Sequence, residues 1–153
     1  MKILVAVDGS VFSDAAVNQV AIIRWPAGST VKALSVEEPL IAAMTEAWAQ
    51  PDSYYEQAMK AEEARANTAE AKALSRLKSL ETYDLEVIGQ ILKGFPKEAI
   101  LEEAETWEAD LIVLGSHGYK GLTRFLLGSV SNAVATHAKC SVMIVRTKDA
   151  GAS

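Results

Sequence analysis

The chain has 153 residues, half of them hydrophobic, with a net charge of −5. A single domain of this size buries about 68–70% of the surface its unfolded chain exposes, so a packed core is expected and disorder is not. The acidic balance argues against nucleic acid as a partner, and no apolar run reaches the roughly 18 residues of a membrane span. Met1 leads straight into a strand pattern without a basic n-region, and the lone Cys140 has no internal disulfide partner. Both features predict a cytoplasmic protein. Two scattered histidines and one cysteine do not spell a zinc site.

Lys2 to Val7 is a buried-strand run, and Asp8-Gly9-Ser10 turns at its carboxyl end. A helix to about Ile23 follows. Ser13, with Asp14 behind it, is its preferred N-cap and Ser10 the alternative, while Ala15, Ala16, Val20 and Ile23 share one face. Trp25-Pro26-Ala27-Gly28 ends it. Val31 to Val36 is a second strand, weaker in pattern. Glu37 to Gln50 carries Leu40, Ile41, Met44 and Trp48 at near-helical spacing, but prolines at 39 and 51 bracket it. It reads as a covering loop with one or two helical turns, with Trp48 a base-flanking or cover residue. Asp52 or Ser53 caps a long helix to about Leu80, rich in Ala, Glu and Lys, with Met59, Leu74, Leu77 and Leu80 facing inward.

Leu85 to Leu92 is the third strand. Gly94-Phe95-Pro96 opens a helix to about Glu108, with Pro96 near its first position and Ile100, Leu101, Ala104 and Trp107 as its apolar residues. Leu111 to Leu114 has the uninterrupted apolar run of a strand buried on both faces, and it stops at Gly115. Glycines at 115 and 118 let backbone N–H groups approach a ligand, though such a pair also serves simply as a turn. Gly128 and Ser129 start a helix through Ala138, where the first N–H groups and the dipole favour an anion. The Ser129 and Ser131 hydroxyls either cap that helix or donate to a phosphate oxygen. His137 suits the negative helix end, and Cys140 reads as a buried, inert thiol. Ser141 to Arg146 is the last strand, and residues 148–153 form a flexible tail. Strands alternating with helices predict a doubly wound α/β sheet of parallel βαβ units, with ligands at the carboxyl edge. Pattern alone leaves the strand order open.

The spacing Gly115-x2-Gly118-x9-Gly128-Ser129 resembles the Gly-x2-Gly-x9-Gly-Ser/Thr signature of the ATP-binding universal stress proteins. A chance match in a chain of this length is roughly one in two hundred. Lys2 to Ser10 and the order of elements extend the resemblance over nearly the whole chain, as one domain at residues 1–147. The resemblance implies a five-stranded Rossmann-like sheet in the order 3-2-1-4-5. It also implies ATP (or ADP or AMP) with Mg²⁺ as cofactors, and a homodimer through the strand at 141–146. That strand is by its own pattern an exposed-edge liability. A downstream protein partner is implied but not identifiable.

Carried over residue by residue, Asp8 lies near the ribose or holds Mg²⁺, Ala6 and Val7 line the pocket, and the Val36 backbone faces the adenine. Leu114, Gly115, His117, Gly118, Gly128, Ser129, Val130 and Ser131 complete the nucleotide-binding set, with His117 at the ribose or phosphate. By their own chemistry Lys120 and Arg124 in the loop can supply positive charge to the phosphates. The plainer readings are a turn aspartate at 8, a core valine at 36, and solvated cations at 120 and 124.

Other nucleotide folds are excluded by absence. No Gly-x-Gly-x-x-Gly follows the first strand, and Gly89-x4-Gly94 continues with Phe95-Pro96 where a P-loop needs Lys-Ser/Thr. Asp8 to Ser13 also lacks the Ser-Gly-Gly-x-Asp-Ser of ATP pyrophosphatases. Three functions compete: an ATP-dependent conformational regulator acting in a stress response, a slow ATP hydrolase using Asp8 or His117 to orient water, and a nucleotide-free interaction dimer.

Overall fold

A computed structural model describes residues 1–40, 52–79, 84–119 and 126–147. Within them the order is β1 (Lys2–Val7), α1 (Val11–Ile22), β2 (Ser29–Glu37), α2 (Asp52–Lys78), β3 (Leu85–Lys93), α3 (Pro96–Thr106), β4 (Leu111–Gly115), α4 (Ser129–His137) and β5 (Ser141–Val145). The five strands pair in parallel in the order β3-β2-β1-β4-β5. The chain winds outward from β1 through β2 to β3, then restarts on the other side at β4. The switch point therefore lies between the carboxyl ends of β1 and β4.

Alternation along the central strands divides the core into two layers, because successive side chains leave opposite faces of the sheet. Ile3, Val5, Val31 and Val113 pack with Val17 and Val20 of α1 and Leu77 of α2. Leu4, Leu34, Ile112 and Leu114 pack with Ile100 and Ala104 of α3 and Val134 of α4. Helices on both faces explain why β1 and β4 read as unbroken apolar runs.

The weak pattern of β2 has a specific cause. Lys32 stands in this buried strand with only 7% of its surface exposed. Its Nζ meets Glu103 Oε1 of α3 at 2.5 Å and lies 4.3 Å from the centre of the Trp107 ring, while Gln90 Nε2 donates to Glu103 Oε2.

Two helix expectations need correction. Ser10, not Ser13, caps α1: its Oγ accepts from the Ser13 N–H at 3.2 Å, and Ser13 is buried with its own hydroxyl donating to Ser10 O. Asp8 Oδ1 accepts from the Ser10 N–H and Gly9 sits at φ 83°, so the turn after β1 is tight enough for the helix to start three residues early. Its buried face includes Val17, while Ala15 and Ile23 are only half-buried.

In α2 the buried residues are Ala66, Ala69, Ala73 and Leu77, whereas Met59 is 57% exposed. Small side chains let this helix lie close to the sheet. Met59, two turns earlier, lines a second cavity together with Glu38 to Leu40 instead. Leu80, the segment from Ile41 to Gln50 with Trp48, and the tail at 148–153 lie outside the described residues.

Candidate functional site

The carboxyl ends of β1, β2 and β4 and the amino end of α4 surround a cavity of about 480 Å³. This is within the range of small-molecule sites. Ala6, Val7, Asp8, Val36, Leu114, Gly115, His117, Gly118, Gly128, Ser129, Val130 and Ser131 all line it. Arg124 and Lys120 lie outside the described residues.

The start of α4 carries the clearest chemistry. Gly128 occupies the N-cap, and among the described residues no side chain caps the helix. The first intrahelical bond runs from the Asn132 N–H to Gly128 O, so the N–H groups of Ser129, Val130 and Ser131 have no acceptor within the helix. These unspent donors, with the helix dipole behind them, open on the cavity. Ser131 lines the cavity and spends its hydroxyl proton on the protein itself. Buried at 3% exposure, it donates through Oγ to Gly115 O at 2.8 Å, which staples the helix start to the end of β4. Gly128 N also donates to Ser116 O, closing the loop on itself.

Each signature glycine has its own physical reason. A Cβ on Gly115 would lie 2.6 Å from the carbonyl carbon and oxygen of Phe12 in α1, so this glycine is required by the packing of β4 on α1. A Cβ on Gly118 would meet Asp8 Oδ2 at 3.0 Å, and one on Gly128 would meet the His117 Cα at 3.2 Å. Only the latter two shape the loop around the cavity.

Asp8 Oδ2 accepts from the Tyr119 N–H at 2.8 Å, while its Oδ1 holds Ser10. One carboxylate therefore ties the loop after β4 to the turn after β1, across the switch point. His117 packs its ring on Phe12, places Nδ1 3.1 Å from Ser116 Oγ, and buries Nε2 without a partner among the described residues. Its imidazole leans toward α1, and the His117 backbone follows the loop.

Sequence reading missed Arg65. From α2 it donates through Nη1 to Asp8 O (2.9 Å) and through Nη2 to Val36 O (2.7 Å), and it makes a bidentate pair with Glu62. Its guanidinium carbon lies 4.8 Å from the centre of the Tyr119 ring. Burial pulls its pKa down, but hydrogen bonds and charge from Glu62, with smaller help from Tyr119 and Asp8, outweigh this and leave it raised. An arginine within an Ala- and Glu-rich helix gives no local signal, because only the packing of α2 over β2 brings it here. Phe95 and Lys97, at the start of α3, also line the cavity.

Elsewhere, His137 Nδ1 lies 2.9 Å from Ala133 O in the last turn of α4, as its position at a helix end leads one to expect. Cys140 is half-buried rather than buried. Burial, and then the charge of Asp110, push its thiol pKa up against backbone hydrogen bonds that lower it. Among the described residues no group of three or more His, Cys, Asp or Glu side chains could hold a metal ion, and no helix is long and apolar enough to cross a membrane.

Comparison with known proteins agrees with this architecture. The family model of the universal stress protein family matches residues 1–146. A universal stress protein of Thermus aquaticus is 33% identical over 147 residues, covering 94% of this chain and 97% of that protein. Universal stress protein MJ0531 of Methanocaldococcus jannaschii is 41% identical over 76 residues, a match spanning 49% of this chain and 45% of that relative. Among solved structures, universal stress protein UspA from Lactobacillus plantarum superposes with a TM-score of 0.73 at 28% identity, covering 95% of this chain and 97% of that one. A universal stress protein solved in complex with cAMP gives a TM-score of 0.66 at 25% identity, covering 97% and 98% of the two chains. By family match, sheet order and the glycine-punctuated loop after β4, this chain belongs to the universal stress protein family.

Proposed function

We propose that this chain is a nucleotide-binding regulatory protein that holds ATP, ADP or AMP in the cavity at the β1/β4 switch point. The observation that carries this reading is the uncapped first turn of α4, whose free N–H donors face the cavity beside the Gly118 loop. Such donors suit phosphate oxygens. The cAMP-bound relative supports an adenine nucleotide as the ligand class. On this reading the phosphates lie over Gly118, Gly128 and the N–H groups of Ser129 and Val130. The ribose lies near Asp8 and the base toward Val36.

A Mg²⁺ ion would be held mainly by phosphate oxygens and water, with Asp8 as its protein carboxylate. Magnesium ordinarily binds nucleotide sites through one or two carboxylates plus phosphates. Asp8 suits this role because each carboxylate oxygen, after accepting one N–H, keeps a lone pair.

The output is conformational. Nucleotide seated against Gly118 and the start of α4 would alter a surface that a protein partner reads during a stress response. β5 pairs with β4 on one side only within the described chain, and its open edge supports a homodimer formed through it in the cytoplasm.

The test is denaturing extraction of purified protein with mass spectrometry of the released nucleotide, followed by thermal denaturation with and without Mg²⁺-ATP. Nucleotide near one per chain, or a raised midpoint with ligand, is expected, because a ligand of the folded state stabilises it. Neither nucleotide nor a shift at millimolar ATP would overturn the reading in favour of an interaction dimer.

A further inference from the structure

We infer that Arg65 is a positioning residue of the nucleotide site: from α2 it sets the geometry of Asp8 and Tyr119. The inference rests on the nucleotide reading above. One guanidinium meets three separate parts of the cavity wall. Nη1 donates to Asp8 O at the end of β1, Nη2 donates to Val36 O at the end of β2, and the carbon lies 4.8 Å from the Tyr119 ring in the loop after β4. Tyr119 in turn donates its N–H to Asp8 Oδ2, the same oxygen that a Cβ on Gly118 would crowd at 3.0 Å.

Arg65 is itself locked. Its side chain is 19% exposed, and Glu62, 12% exposed, takes Nε and Nη2. A rigid planar fork held by its own carboxylate can fix two carbonyls and support an aromatic ring at once, which a lysine ammonium cannot. The consequence is that Asp8 and Tyr119 hold their places without ligand, so less ordering remains to be done when nucleotide binds.

The test compares wild type, Arg65→Lys, Asp8→Asn and the double variant. Arg65→Lys keeps a cation beside Glu62, so it guards against loss of the fold. The first readout is hydrogen exchange of the ligand-free proteins. The Tyr119 amide should exchange faster in Arg65→Lys than in wild type, while the Ile112 amide at the sheet centre stays unchanged. The second is the dissociation constant for Mg²⁺-ATP by calorimetry. Arg65→Lys should weaken binding about tenfold, and the double variant should bind no more than slightly worse than the weaker single variant, because residues sharing one network are not additive.

If wild type binds but Arg65→Lys binds equally well, or its loss simply multiplies with that of Asp8→Asn, the positioning role is overturned and the nucleotide site stands. An unchanged Tyr119 amide overturns it as well. Failure of wild type to bind removes both readings together.

Discussion

Replacing Gly115 by alanine separates two reasons for a glycine at the end of β4. The new Cβ would sit 2.6 Å from the Phe12 carbonyl carbon and oxygen and 2.7 Å from the Phe12 Cβ. Ordinary carbon contacts lie at about 3.5–4.0 Å, so roughly 1 Å of separation must be found. Neither side yields easily. Phe12 is in the first turn of α1, whose Val17 and Val20 are core residues, and Val113 and Leu114 of β4 are buried on opposite faces. Overpacking of this kind costs about 1–3 kcal/mol. At about 2–4 °C per kcal/mol for a domain of this size, the melting midpoint should fall by about 2–12 °C. Urea denaturation of ligand-free protein gives the free energy directly, and the slope with urea should match wild type if only stability has changed. Stability within about 0.5 kcal/mol of wild type, accompanied by lost nucleotide affinity, would refute the packing argument and return Gly115 to a purely ligand-facing role.

Three further outcomes are expected. Asp8→Asn turns one acceptor oxygen into a donor facing the N–H of Ser10 or Tyr119, so stability should fall by about 1–3 kcal/mol in denaturant titration. A neutral effect would mean that the carboxylate does not hold the loop. Glu103→Ala leaves the Lys32 ammonium buried without its partner and should cost about 3–5 kcal/mol, whereas Lys32→Met with Glu103→Leu should be neutral or stabilising. Equal losses in the single and double variants would contradict this. The raised pKa of Cys140 means a smaller thiolate fraction than a free thiol has at any given pH. Its alkylation rate should therefore stay low at neutral pH and rise only above the normal cysteine range. Folding stability contributed by this thiol is present below the unfolded-state pKa and declines as pH rises toward the folded value. A rate profile matching free cysteine would show that burial does not act on it.

Much of this molecule is legible in its sequence. Hydrophobic runs at Lys2 to Val7 and Leu111 to Leu114 announce strands covered on both faces, and Pro26, Gly28, Gly94 and Pro96 mark where elements end or begin. The glycine spacing from 115 to 128 marked the loop that lines the cavity. These are local properties, set by side-chain periodicity and by backbone positions that only certain residues tolerate. The order of the strands was legible only through family resemblance, because periodicity says which segments pair with a core but not with each other.

Tertiary structure decided the rest. Ser13 looks like a cap in the sequence and is a core residue, since the Asp8 turn moves the helix start to Ser10. Met59 has the right chemistry for a core position but lies where α2 has passed beyond the small-residue face formed by Ala66, Ala69 and Ala73. Lys32 and Glu103 are ordinary surface residue types until the sheet and α3 bury them together. Arg65 becomes part of the site only because α2 crosses the ends of β1 and β2. A residue's own spacing records its element, but its partner is chosen by the packing of elements distant in the chain. That is why the loop after β4 could be read from residues and the guanidinium that braces it could not.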